Sequence, residues 1–543
     1  MLKQRISVHL ILVLALGMVI GGCRATNNPP RAITNPCVAG GKNDAACNVV
    51  QGYGRNDVSP NVAGVTISGG GGPDLPNRVT GDYGAIGGGL DNSAGDRATV
   101  GGGSSNVANG FRAVVGGGSS NTASGAYSTL AGGENNLSNY FYTTVGGGNN
   151  NTASGRLATV GGGSGNMASF TLATVSGGGN NTASGLESTI GGGSRNRADG
   201  TYATISGGTG NVAPSLDATV GGGSGNVVTG DEGTIGGGLI NRVTDKFSTV
   251  GGGQSNMAGN ADDDLLNAEY STVGGGTGNQ AQGLAATVSG GESNVASGPF
   301  SAILGGRSNR AAGAYSVAAG RRANVMATHD GAFVYADSSD FDFASQAANE
   351  FAVRATGGVR LVTAIDAGGN PTGGVRLAAG SGSWATLSDR NAKINFAPVD
   401  GREILKRVAG LPITTWSYRT QSPSIRHIGP MAQDWAAFAV GEDDRYINSV
   451  DADGVALAAI QGLYEVVQDK DAQINMQQQR IEALENEIAA QRNQMAVIEA
   501  RLTAIETKGG LASPLAAQPI NWLTIGGLGL IGVLAIRRRR AER

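Results

Sequence analysis

The chain has 543 residues with 93 Gly, only 11 Phe and 4 Trp, and charged residues make up 15% of it. So much glycine with so little aromatic bulk excludes one large globular core, and a formal net charge of −3 gives no ground for a nucleic-acid binder. The glycine is concentrated between Gly69 and Gly320, whereas the last third reads as ordinary protein.

Lys3 and Arg5 precede a mostly apolar stretch over residues 6–20 that ends in Gly21-Gly22-Cys23. A basic start, an apolar middle and a small-residue end make an export signal. Ile20-Gly21-Gly22-Cys23 resembles a bacterial lipobox, which implies lipidation at Cys23 and a mature chain beginning there. A plain signal peptide or an uncleaved anchor is the other reading. Cys37 and Cys47 then form either one disulfide across a short loop or two free thiols. Residues 1–23 are assigned to the signal and 24–84 to a linker or cap.

From residue 85 to 326 a fifteen-residue period dominates. A small-Thr-aliphatic-Gly-Gly pattern recurs at Val100, Val115, Leu130 and Val145 and continues in the same step to Val250. A second column runs from Asn106 and Asn121 to Asn256. An insertion containing Asp262, Asp263 and Asp264 shifts the register once, after which the columns resume at Val273 and Asn279, the asparagines running on to Asn324. Such a unit predicts a stacked β-coil of fifteen or so rungs. One aliphatic residue per rung points inward, glycine turns the corners, and asparagine at a fixed corner forms a side-chain ladder. The strict period argues against a flexible Gly/Ser linker. The Gly-rich turns lack the Gly-Lys-Ser/Thr ending and the strand–helix setting of a phosphate loop.

The repeats resemble the heads of trimeric autotransporter adhesins of the YadA type, a resemblance that implies a left-handed β-roll packed as a trimer. The match is in pattern rather than letter, since that family's Ser-Val-Ala-Ile-Gly is here Ala-Thr-Val-Gly-Gly and the repeat is one residue longer. Residues 327–387 change composition, with aromatics and strand-like alternation around Phe333-Val334-Tyr335 and Phe351-Ala352-Val353, and are assigned to a β-rich stalk connector. His329 is one of only 3 His, so neither a metal site of several His nor any cofactor is expected.

The segment Trp384-Ala385-Thr386-Leu387-Ser388-Asp389-Arg390-Asn391-Ala392-Lys393 carries the chemistry. Its Ser-Asp-x-x-x-Lys spacing, with Trp416-Ser417-Tyr418, His427-Ile428-Gly429-Pro430 and Val450-Asp451-Ala452-Asp453-Gly454, resembles the self-cleaving intramolecular chaperone domain of endosialidase-type tail spikes. The resemblance covers residues 388–459 and implies a small α+β domain. It also implies a Ser388/Lys393 dyad that cuts the Leu387–Ser388 bond. A serine hydroxyl becomes a nucleophile when a base takes its proton, and a desolvated lysine amine can do so. His427 is a third candidate, assisting or ordering the site. Asp389 caps the following turn or pairs with Arg390 or Lys393.

Ile460, Val467, Ile474, Ile481, Ile488, Met495 and Leu502 are spaced by seven, with Leu463, Leu484, Ile498 and Ile505 three residues on from four such positions. Over residues 460–507 this predicts a coiled coil of a kind compatible with trimers. After a linker over 508–519, the apolar residues 522–536 and Arg537 to Arg540 form a short membrane or sorting segment within 520–543, basic end inside.

The fold class expected is mostly β: a repetitive parallel β-roll or β-helix rod, trimeric, then a small α+β chaperone domain and a C-terminal coiled coil. The function expected is that of an exported trimeric fibre of the bacterial envelope. It would be anchored in the membrane at one or both ends, structural or adhesive toward a host surface or glycan, and without nucleic acid. A polysaccharide-degrading spike is the enzymatic alternative, although the repeats show no distinctive carboxylate pair. An ice- or mineral-binding array is the other, from the column containing Thr99, Thr129, Thr144 and Thr159.

Overall fold

A computed structural model describes residues 47–508 apart from positions 261, 263, 265 and 442. Cys23, Cys37 and the 522–536 segment lie outside the described residues. Cys47 is disulfide-bonded. The described chain divides into two compact units, one built on the residues before 360 with 377–383, the other on 360–376 with the residues from 384 onward.

The first unit is a parallel β-solenoid. Most rungs contribute two strands of two residues, lengthening to between three and six residues in several strands from Ala302 onward, and each strand pairs only with its equivalent in the neighbouring rungs. Thr129 pairs with Thr144 and Leu130 with Val145 in one sheet, while Thr122 pairs with Leu137 in the other. Single bridges such as Ser104 to Ser119 form a third column. The first sheet has 20 strands, more than the fifteen or so rungs that the strict period predicts. Pairing begins at Val49–Val50 and continues through Phe351–Arg354, and these outer rungs depart from the fifteen-residue step.

The core is as thin as the repeat predicts. Val100, Val115, Leu130, Val145 and Val160 are fully buried, one per rung, against a second buried column of Ala108, Ala123, Ala153 and Ala168. The asparagine column is buried too, but it bonds mostly to backbone. Asn121 N–H donates to Asn106 Oδ1 at 3.1 Å, while its Nδ2 donates to the carbonyls of Gly117 at 3.0 Å and Gly133 at 2.8 Å. The same Nδ2 shares Asn106 Oδ1 at 3.1 Å, a step of the expected side-chain ladder that recurs at several rungs. Each asparagine thereby ties its own rung to the rungs on both sides, satisfying polar groups that a glycine corner would leave bare. The column ends one place earlier than the sequence spacing predicts. Asn309 Oδ1 accepts from Ala323 N at 2.9 Å, and Ala323, not Asn324, fills the buried slot, because the rung shortens by one residue.

In the second unit, α1 (Gly401–Gly410) is capped by Asp400, whose Oδ1 accepts from Arg402 N and Glu403 N. A short strand pair, Thr414–Trp416 with His427–Gly429, is antiparallel. Then come α2 (Ala432–Trp435) and α3 (Ser449–Lys508), a helix of 60 residues. Trp435, Phe438 and Val455 form the buried cluster, joined by Ile404, Val408 and Leu411. Gly401 and Gly462 meet where α1 crosses α3, so closely that a Cβ on either would strike the other's backbone. Arg402 fixes that crossing through Glu465 and Asp469, each at 2.8 Å. Beyond it α3 carries an unpartnered apolar seam, with Ile474, Ile481 and Ile488 about half exposed. No described helix is long and apolar enough to cross a membrane.

Candidate functional site

Two strands, Gly358–Ile365 and Pro371–Ala378, and a third, Trp384–Thr386, make one three-stranded sheet in that order. The turn between the first two is closed by Asp366, whose Oδ1 accepts from Gly368 N and Asn370 N, both at 2.8 Å. The pairing carries past the third strand, since Leu387 N donates to Gly374 O at 3.1 Å. The chain entering Ser388 is therefore held extended, as a strand added to a hairpin edge. An open groove of about 320 Å³ runs beside it, lined by Leu361, Val362, Val375, Arg376, Thr386 and Leu387 among others.

Past Leu387 the geometry changes within two residues. Asp389 is extended and its side chain accepts from Asn391 N at 2.8 Å, capping a 3-10 turn at Arg390–Ala392. Lys393 N closes the turn on Arg390 O at 3.2 Å. The turn returns the chain on itself and brings Lys393 Nζ to 2.6 Å from Ser388 Oγ. Of the two roles the sequence leaves open for Asp389, the cap is the one observed. Arg390 lies instead over the Phe396 ring, 5.0 Å from its centroid. Ser388 and Lys393 are both exposed in the single chain.

His427 sits in its own hairpin. Its Nε2 is 2.8 Å from Gln421 Oε1, and its ring packs against Trp416 and Tyr418, with centroids at 4.8 Å and 5.5 Å. The geometry thus joins Ser388 to Lys393 and ties His427 to Gln421 and two aromatic rings. What the sequence did not offer is the strand that holds Leu387, since Trp-Ala-Thr is too short an alternation to read alone. Among the described residues no group of three or more His, Cys, Asp or Glu could hold a metal ion.

A β-solenoid followed by a module that opens on a paired serine and lysine defines a class: a repeat protein with a candidate serine–lysine site after its repeats. The comparison with protein families specifies the module. Residues 388–441 match the family model described as chaperone of endosialidase, a peptidase family, and the match begins at Ser388 itself. The match covers this C-terminal segment and not the rod; together the two fit a phage-tail-fibre-like protein. No curated protein matches the chain.

Proposed function

We propose that the protein is an exported, trimeric fibre of structural or adhesive role, whose C-terminal module assembles three copies and then cuts itself off at Leu387–Ser388. The observation that carries the cleavage is the 2.6 Å approach of Lys393 Nζ to Ser388 Oγ, directly after a segment fixed in extended form. The unprotonated Lys393 amine takes the Ser388 hydroxyl proton while Oγ bonds to the Leu387 carbonyl carbon. The C–N bond breaks, the proton passes to the Ser388 nitrogen, and the Leu387 acyl group rests as an ester on Oγ. Water then hydrolyses the ester, leaving a carboxylate on Leu387 and a free amine on Ser388. Because nucleophile and substrate are one chain, their effective concentration is very high, on the order of 10⁵ M or more for well-oriented groups, and one turnover suffices.

Trimer assembly supplies what the single chain lacks. A lysine base works best where water is kept from it, and both members of the dyad are exposed in one chain. The seam of α3, with Ile481 55% exposed and Leu502 55% exposed, has the spacing that two further copies would cover. On this reading assembly both buries the seam and completes the site, so cutting follows correct alignment. A lipid on Cys23 and a membrane segment over 522–536 would put an anchor at each end, and the cut would decide which one the rod keeps.

Expression of the full chain with its leader tests the reading. Wild type gives two fragments with a new N-terminus at Ser388, whereas Ser388→Ala and Lys393→Ala stay whole yet assemble. A single full-length band at all times after export would sink it.

A further inference from the structure

We infer that Asp389 is a positioning residue for the cleavage, acting through the backbone of the turn that follows it. The inference rests on the proposed Ser388/Lys393 chemistry and names what makes that pair possible. Ser388 and Lys393 are five residues apart in sequence, so an extended chain would separate their backbones by about 17 Å. That is far beyond a lysine's four-carbon stem, and the pair forms only while the chain turns back between them.

The device that turns it is small. A 3-10 turn of three residues, Arg390–Ala392, has poor intrinsic stability, because a first turn fixes several dihedrals for one or two hydrogen bonds. Its backbone bonds are long, Ala392 N to Asp389 O at 3.1 Å and Lys393 N to Arg390 O at 3.2 Å. The one side-chain bond inside it is the shortest, Asn391 N to Asp389 Oδ1 at 2.8 Å. None of the three residues of the turn is fully buried, so packing does little to hold it. The cap therefore carries a large share of the turn's population. On the other side of the bond, Leu387 is held by Gly374 O. The acyl half is fixed by the sheet and the nucleophile half by the cap.

The role is separable from a charge effect on Lys393, because asparagine caps a turn as well as aspartate does and carries no charge. In the full chain, cleavage is followed by fragment appearance over a range of pH. Asp389→Ala slows cutting about fivefold or more, the equivalent of a lost cap, without preventing assembly. Asp389→Asn restores the wild-type rate with an unchanged pH profile. An Asn variant as slow as Ala, or one with a shifted pH profile, overturns the assignment in favour of an electrostatic role; an Ala variant as fast as wild type removes Asp389 from the reaction altogether. A second readout does not depend on peptide cleavage. Labelling of Ser388 by a fluorophosphonate reports its pairing with Lys393, and it falls in Asp389→Ala but not in Asp389→Asn if the cap sets that pairing. Equal labelling in both variants contradicts it. Failure of wild type to cut, with this labelling pattern intact, would count against the proposed cleavage and not against the cap.

Discussion

Replacing Asn181 by alanine tests whether the asparagine column or the aliphatic core holds the solenoid in register. Asn181 is fully buried. Its Nδ2 donates to Gly177 O and Gly193 O, each at 3.0 Å, and to Asn166 Oδ1 at 3.1 Å. Its Oδ1 accepts from Asn196 N at 3.0 Å. Alanine removes all four and leaves the Asn196 N–H without an acceptor. The amide has two N–H groups, so its three contacts amount to two hydrogen bonds at about 1 kcal/mol each, and with one orphaned N–H at about 2 the loss comes to about 4 kcal/mol. Because the bonds of Asn181 reach only its own and the adjacent rungs, the loss stays local. Hydrogen exchange on the full chain reads it amide by amide. The Asn196 amide speeds up by about a hundredfold or more, while the Asn181 amide, whose bond to Asn166 Oδ1 at 3.0 Å survives, stays protected. Asn180→Gly is the control, since Asn180 is exposed at a φ of 55° that glycine adopts freely. Asn181→Ala exchanging like that control would refute the argument and return the register to the aliphatic column.

The adjacent glycines Gly177 and Gly178 give a sharp contrast. A Cβ on Gly177 meets nothing within 4 Å, whereas Gly178, at φ +89°, would drive one into the Gly193 carbonyl. Thermal unfolding of Gly177→Ala is then unchanged or slightly raised, and that of Gly178→Ala is lowered by about 1–2 kcal/mol from the left-handed backbone alone, with the clash adding to it. At the far end of the solenoid, bonds from the Thr356 hydroxyl first, and then from its N–H, hold the Asp337 carboxyl below the usual carboxylate range. A folded value below the unfolded one means that this stabilisation is present above about pH 4 and lost as pH falls further. Acid unfolding of wild type and Asp337→Asn should therefore converge at low pH. Asp245 has the opposite sign. Burial pushes its carboxyl up, so its contribution is present below about pH 4 and lost as pH rises through the folded value, and Asp245→Asn should flatten that part of the stability curve. At the α1–α3 crossing, Gly462→Leu forces a side chain into the Gly401 backbone and should separate the helices, seen as loss of protection in α1.

Most of the rod is legible in the sequence because each inference is repeated along the chain. A β-branched residue inside, glycine corners and a buried asparagine recur in one register, and no single substitution such as Leu130 for valine hides them. The outer rungs are not legible this way. Val49 pairs with Thr66 and Thr66 with Ala85, steps longer than fifteen, because loops of different length leave the strand register intact while erasing the period. The Asn324 error has the same origin: a rung shortened by one residue passes the slot to Ala323. At the candidate site, the types and spacing of Ser388 and Lys393 could be read, and so could the cap at Asp389. The exposure of the pair could not, nor could the hairpin that takes up residues 384–387, because both depend on partners remote in sequence.

The pairing pattern also bears on why such a rod would discard its chaperone. Each inner strand of the solenoid pairs with the strand one rung before and one rung after, as Thr174 does with Thr159 and Thr189, and no strand pairing among the described residues reaches further; a side chain does so at the last rung, where Arg354 donates to Arg321 O. In such a one-dimensional array a rung's register is set by its neighbour alone. A wrong first alignment would therefore propagate, and a correct one needs no further guidance. The information required is a single starting register at one end, which a long helix with seven-residue spacing can supply by pairing with copies of itself. Once the last rungs near Phe351–Arg354 are set, the template adds nothing to the stability of rungs far from it. On the proposed reading, cutting at Leu387–Ser388 then removes the element that sets the starting register, so the rod's persistence comes to depend on its unfolding barrier, not on equilibrium. If so, uncut Ser388→Ala rods refold after denaturation, whereas rods from the cut protein, freed of the released fragment, do not. Equal recovery of the two would show that the register is encoded in the rungs themselves.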